Sequence, residues 1–125
     1  MGMRILIAED SELNFEVLAE FFSLGGHELS WARDGAEAIA TLERGEFDLL
    51  LLDLHMPRVD GFTVLKWLRE TRAKLEMKSI VLTADDSRAV RDETLALGAA
   101  AFLTKPLDLQ QLSTAIQQVT GTDAG

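Results

Sequence analysis

Four consecutive leucines run into an aspartate in "DLLLLD", Asp48 to Asp53. A strand whose side chains are apolar on both faces has no surface to offer water, so it must be covered from both sides. Four further short apolar runs accompany it: "RILIA" (Arg4 to Ala8), "ELSWA" (Glu28 to Ala32), "SIVLTA" (Ser79 to Ala84) and "AAFLTK" (Ala100 to Lys105). Between and after them lie longer segments of helical period. Ser11 to Leu24 places Leu13, Val17, Leu18, Phe21 and Phe22 on one broad face and stops at Gly25-Gly26, a helix-ending pair. Gly35 to Arg44, Gly61 to Lys74, Asp86 to Leu97 and Leu109 to Val119 complete five predicted helices, and "TGTDAG" at positions 120–125 reads as a frayed tail. No internal repeat is present. Strict alternation of strand and helix with right-handed crossovers predicts a doubly wound, five-stranded parallel sheet in a three-layer α/β sandwich.

A chain of 125 residues fits one such domain, here spanning 1–125 with its core from about 4 to 119. The formal net charge of -9 comes without a segregated basic stripe, which argues against direct nucleic-acid binding. The densest basic cluster, "RETRAK" (Arg69 to Lys74), reads as a solvated helix face. No apolar run is long enough to span a bilayer, and no cysteine is available for a disulfide or a thiolate metal site. A soluble, cytoplasmic protein without a membrane partner is the expectation.

In doubly wound sheets the binding crevice lies outside the carboxyl ends of the strands. Glu9 and Asp10 follow the first predicted strand, Asp53 ends the third, Thr83 closes the fourth and Lys105 ends the fifth. All five therefore belong to one edge. Converging carboxylates repel one another, and a divalent cation relieves that repulsion. An all-oxygen donor set with two or three protein ligands suits Mg2+ (or Mn2+), whereas His27 and His55 lack zinc-ligand spacing. Taken alone, "Glu9-Asp10" is equally an acidic helix start, Lys105 an ordinary surface lysine and Thr83 a β-branched strand residue. Asp53 shifts the balance. An ionised carboxylate at the mouth of an apolar strand is a competent nucleophile toward phosphorus when cations offset the incoming phosphoryl oxygens.

"AED" (Ala8 to Asp10), "LLLLDLHMPRVDGF" (Leu49 to Phe62), "LTA" (Leu82 to Ala84) and "LTKP" (Leu103 to Pro106) resemble, in order and spacing, the receiver domain of two-component response regulators and hybrid histidine kinases. The resemblance runs from Arg4 to about Val119. It implies a flavodoxin-like sheet of strand order 2-1-3-4-5. It also implies a phosphorelay switch in which Asp53 accepts a phosphoryl group from a phosphohistidine. The donor would be a sensor histidine kinase or a histidine phosphotransfer protein. By the same resemblance Asp10, Asp53 and the backbone carbonyl of His55 hold Mg2+, with Glu9 acting through a metal-bound water. Lys105 pairs with the phosphate, across a Lys105-Pro106 bond that is usually cis in such domains. Thr83 and the aromatic Phe102 form the switch, while His55 and Asp85 occupy positions that tune phosphate lifetime. Output passes through the face made by the fourth helix, fifth strand and fifth helix, to a downstream protein or a domain outside this chain. Two departures stand out: Glu9 replaces a frequent Asp, and Phe102 carries no hydroxyl. In "MPRVDG", Pro57 stiffens the loop and Gly61 frees a turn. "EDSELN" (Glu9 to Asn14) has the style of receivers attached to hybrid kinases, and is equally an N-cap at Ser11 followed by surface polar residues.

Two other functions compete. Phosphatases of the haloacid dehalogenase class also place a nucleophilic Asp after an apolar strand and use Mg2+, but want a second Asp two residues on, where this chain has His55. A phosphorylation-independent docking module would keep the fold, although such degenerate receivers usually lack one of the site residues that are all present here. The chain is thus expected to catalyse its own phosphorylation and dephosphorylation as a regulatory domain, not to turn over a substrate.

Overall fold

The computed structural model describes residues 2–71 and 76–124. Among these, the elements alternate without exception: β1 (Arg4–Ala8), α1 (Glu12–Phe22), β2 (Glu28–Ala32), α2 (Gly35–Arg44), β3 (Leu49–Asp53), α3 (Gly61–Thr71), β4 (Lys78–Thr83), α4 (Arg88–Ala96), β5 (Ala101–Thr104) and α5 (Leu109–Thr120). The strands form one parallel sheet in the order β2-β1-β3-β4-β5. The order reverses between β1 and β3, so their carboxyl ends flank the switch point where such sheets open a crevice.

Alternation along each central strand builds two cores. Ile5, Ile7, Leu49, Leu51, Ile80 and Leu82 face Leu18 and Phe22 of α1 and Leu112 and Ile116 of α5. Leu6, Leu50, Leu52 and Val81 face Ala38 and Leu42 of α2 and Val64 and Leu65 of α3. Leu49 to Leu52 are fully buried, which accounts for the leucine run. At about 1.5–3 kcal/mol per side chain, these four contribute roughly 6–12 kcal/mol of gross hydrophobic stabilisation.

Helix boundaries follow their caps. Ser11 accepts from the Asn14 N–H and starts α1, Asp34 accepts from the Glu37 N–H and starts α2, and Asp108 accepts from the N–H groups of Gln110 and Gln111 and starts α5. α4 begins at Arg88, two residues later than its sequence pattern suggests, because Ser87 is the cap and accepts from the Val90 N–H. The predicted third helix, Gly61 to Lys74, is observed to Thr71; Arg72 to Lys74, and with them half of "RETRAK", lie outside the described residues.

Three expectations change. Leu13 and Val17 are not part of the buried face of α1: they are 69% and 45% exposed, and Phe15 packs on the core instead. The tail is not frayed as far as Ala124. Its methyl is buried in the core, and its carbonyl lies 2.7 Å from His27 Nε2, while His27 Nδ1 accepts from the Met3 N–H at 2.9 Å. Gly61 starts α3 and supplies close approach in place of the freed turn expected of it. A Cβ there would stand 2.7 Å from the Asp53 carbonyl oxygen and 2.8 Å from Leu54 Cα, whereas the residue at positive φ in that loop is Arg58.

Candidate functional site

The crevice is assembled by strand ends, and each strand delivers its residue because the run before it is locked into register. β1 and β3 pair from Ile5 with Leu49 through Ala8 with Leu52, placing Glu9 and Asp53 side by side just beyond. β4 pairs with β5 through Thr83 and Thr104, bringing Lys105 to the same edge. One carboxylate oxygen from each of Glu9, Asp10 and Asp53 lies within 4.8 Å of the other two. Glu9 and Asp53 are buried, while Asp10 opens to solvent.

Lys105 holds the buried pair together. Its ammonium donates to Glu9 Oε1 at 2.9 Å and to Asp53 Oδ2 at 3.0 Å. The two remaining oxygens accept backbone hydrogen bonds, Glu9 Oε2 from the Ser11 N–H at 3.1 Å and Asp53 Oδ1 from the His55 N–H at 3.0 Å. Every oxygen of the buried carboxylates thus has a donor, as burial of charge demands. Partial burial alone would push Lys105 down, but the hydrogen bonds it donates to Glu9 and Asp53, with the charges of those carboxylates, hold its pKa above the usual lysine value. Asp10 sits above the ordinary carboxylate range, through desolvation first and then the hydrogen bond and repulsion from Glu9. Three carboxylates against one ammonium leave a formal surplus of two negative charges on hard oxygen donors. That donor set and charge fit a divalent oxygen-loving cation.

Of the remaining predicted residues, His55, Thr83 and Asp85 lie at this edge of the sheet, whereas Phe102 sits two residues back from the end of β5, opposite Val81. Thr83 is fully buried, and its Oγ1 accepts from the Asp85 N–H at 3.1 Å. Asp85 accepts from the Ser87 N–H at 2.9 Å, and that bond, with the Ser87 hydroxyl and more distantly the charge of His55, holds its carboxyl below the usual range. Phe102 is half-buried with the Arg91 guanidinium 5.9 Å from its ring centroid. The Lys105-Pro106 peptide bond is cis. The His55 side chain is exposed.

Other residues at the site escaped the sequence reading. Trp31 donates its indole N–H to the Glu9 carbonyl at 2.7 Å and stacks on Phe15 with centroids 4.4 Å apart. Arg33 covers the ring at 4.3 Å. Arg58 pairs with Asp34, holding the Asp34 carboxyl below the usual range, chiefly through that hydrogen bond and next through the Glu37 N–H. The N-cap role of Asp34 is readable from "RDGAE", but its partner 24 residues away is not.

A crevice of paired carboxylates bridged by a lysine, at the switch point of a 2-1-3-4-5 sheet, defines a flavodoxin-like acidic-site domain. The response regulator receiver domain family model matches residues 5–117, and the chain belongs to that family, the receiver domain of two-component response regulators. It is 37% identical over 120 residues to the response regulator PleD of Caulobacter vibrioides, covering 96% of this chain and 26% of PleD's length. The receiver domain of the Francisella response regulator 1452 superposes with a TM-score of 0.88 at 28% identity, covering 96% of this chain and 98% of that one. The Mn2+-bound form of response regulator Rcp1 superposes with a TM-score of 0.81 at 28% identity, covering 93% and 90%. Among the described residues no helix is long and apolar enough to cross a membrane.

Proposed function

We propose that this receiver domain is a phosphorylation-activated switch in which Asp53 accepts a phosphoryl group from a phosphohistidine of a sensor histidine kinase or phosphotransfer protein. The observation that carries the reading is Lys105 bridging Glu9 and Asp53 beside the exposed Asp10. Asp10, Asp53 and the His55 carbonyl would hold Mg2+ or Mn2+, with Glu9 acting through water; the ion supplies charge neutralisation for the incoming phosphoryl oxygens. An Asp53 carboxylate oxygen forms a bond to phosphorus as the phosphorus–nitrogen bond to the donor imidazole breaks, the electron pair leaving with the imidazole. Lys105 transfers one of its contacts from Asp53 to a phosphoryl oxygen. Thr83 exchanges the Asp85 N–H for the phosphate, its hydroxyl becoming a donor, and the space it vacates admits Phe102.

That movement has a readout on the outer face. Phe102 lines a groove of about 490 Å3 together with Arg91, Leu95, Gln111 and Thr114, so turning it inward reshapes the surface between α4, β5 and α5. A downstream protein, or a further domain joined to this one, reads that surface, and His55 and Asp85 set how long the phosphate lasts. The setting is the cytoplasm, and neither nucleic acid nor membrane is contacted directly. Phosphoramidate, a small phosphorus–nitrogen donor, tests the chemistry with Mg2+ present. The expected product is a single adduct cleaved by hydroxylamine, as acyl phosphates are, without turnover of p-nitrophenyl phosphate. Sustained ester turnover would identify a phosphatase instead.

A further inference from the structure

Arg58 lies in the left-handed region at φ 65, alone among the described non-glycine residues. The Val59 N–H donates to the Pro57 carbonyl at 2.8 Å across it, closing a three-residue turn that disfavours any residue with a Cβ. Glycine or asparagine would occupy this position more easily, so something else must offset the cost of arginine. Its guanidinium is paired with the buried carboxylate of Asp34, whose other oxygen accepts from the Glu37 N–H at 2.9 Å and caps α2. One residue further, the Gly35 N–H donates to the Val59 carbonyl at 2.8 Å, an approach so close that a Cβ on Gly35 would stand 2.2 Å from that oxygen.

The β3–α3 loop is therefore clamped twice onto the N-terminus of α2. At its origin it is fixed again, by the His55 N–H on Asp53 Oδ1. His55, Met56 and Pro57 span those two anchors, with the Met56 side chain buried in the core beneath, and the direction of the His55 carbonyl follows from the path they are forced to take. Resting on the function proposed above, we infer that Arg58 and Asp34 are a positioning pair for the divalent cation: they hold the loop so that its backbone carbonyl faces the ion. Neither touches the ion or the reacting atoms.

Mn2+ titration of the full chain, read by the electron paramagnetic resonance of free Mn2+, tests this with Arg58→Asn, Arg58→Lys and Asp34→Asn. Asparagine tolerates the left-handed backbone and removes the charge, so it separates the clamp from the turn. Loss of an outer-shell partner lowers metal affinity about 10–100-fold in tight sites, and a partly exposed pair belongs at or below the lower end. The expected result is a three- to tenfold rise in Kd, about, for Arg58→Asn and for Asp34→Asn, no further rise in the double variant, and Arg58→Lys within about twofold of the parent. Melting temperatures taken alongside confirm that each variant is folded. A parent chain that binds and an Arg58→Asn variant that binds equally well would overturn this inference alone, as would an equal loss in Arg58→Lys. A folded parent that binds no Mn2+ would overturn the proposed function and this inference with it.

Discussion

Replacing Asp53, the proposed phosphoacceptor, should stabilise the metal-free protein. In Asp53→Asn two repulsions disappear, with Glu9 and Asp10, whose oxygens lie within 4.8 Å, and one attraction weakens, with Lys105 at 3.0 Å. At an effective dielectric constant of about 20, each repulsion is at least about 3.5 kcal/mol and the attraction about 5.5 kcal/mol. The Asp10 share shrinks because that carboxylate is exposed and screened, so the pairwise effects roughly cancel. Desolvation then decides. Asp53 is buried, and keeping an ion out of water costs several kcal/mol that a neutral amide avoids, while Asn Oδ1 can still accept from the His55 N–H. The net expectation is about 1–3 kcal/mol of added stability in EDTA, or roughly 4–10 °C in Tm for a domain of this size. Saturating Mg2+ should narrow or reverse the ranking, since the parent chain gains more from the ion. Thermal unfolding followed by circular dichroism, with EDTA and with Mg2+, measures both. A lower Tm for Asp53→Asn in EDTA would show that Lys105 outweighs carboxylate repulsion and burial, and would refute the picture of a strained acidic cluster.

Asp34 governs part of the acid limb: its pKa is depressed on folding, so its contribution is present above its unfolded value near 3.8 and is lost as pH falls through the lower folded value. Asp34→Asn should flatten the stability profile in that window and leave its slope at neutral pH unchanged, as measured by urea unfolding across pH. Gly61→Ala should cost about 1–3 kcal/mol, because the new methyl meets the backbone of Asp53 and Leu54, and should also slow phosphorylation by moving the nucleophile; chemical denaturation and adduct formation rates report the two effects. Thr83→Ala should leave Asp53 open to phosphorylation but remove the phosphorylation-dependent change at Phe102, read as loss of the shift in NMR resonances of β5 and α5.

The strands were legible because each run admits few alternatives: four leucines in succession can sit only between two helical layers, and the polar residue that ends the run is then delivered to the carboxyl edge. Asp53, Glu9, Thr83 and Lys105 were found by that local logic. α1 was overread, since helical period alone cannot say how wide the covered stripe is, and Leu13 and Val17 fall outside it. They stand on the helix that begins at the crevice, where Val17 and Leu109 line a depression of about 500 Å3 running up to Lys105. Pairings such as Arg58 with Asp34, Trp31 with Glu9 and His27 with Ala124 join residues 22 to 97 positions apart, and no periodicity encodes them. Arg58 was hidden further because the turn in that loop was ascribed to Gly61, whereas the residue at positive φ is the arginine.

The proposed function stands or falls on metal-dependent phosphorylation of Asp53. Intact mass after incubation with acetyl phosphate, with and without Mg2+ and beside Asp53→Asn, tests it most directly. The expected result is one phosphoryl adduct on the parent chain that requires Mg2+ and is absent from Asp53→Asn. An adduct that persists in the folded Asp53→Asn variant, or a folded parent chain that acquires none with Mg2+ present, would contradict it.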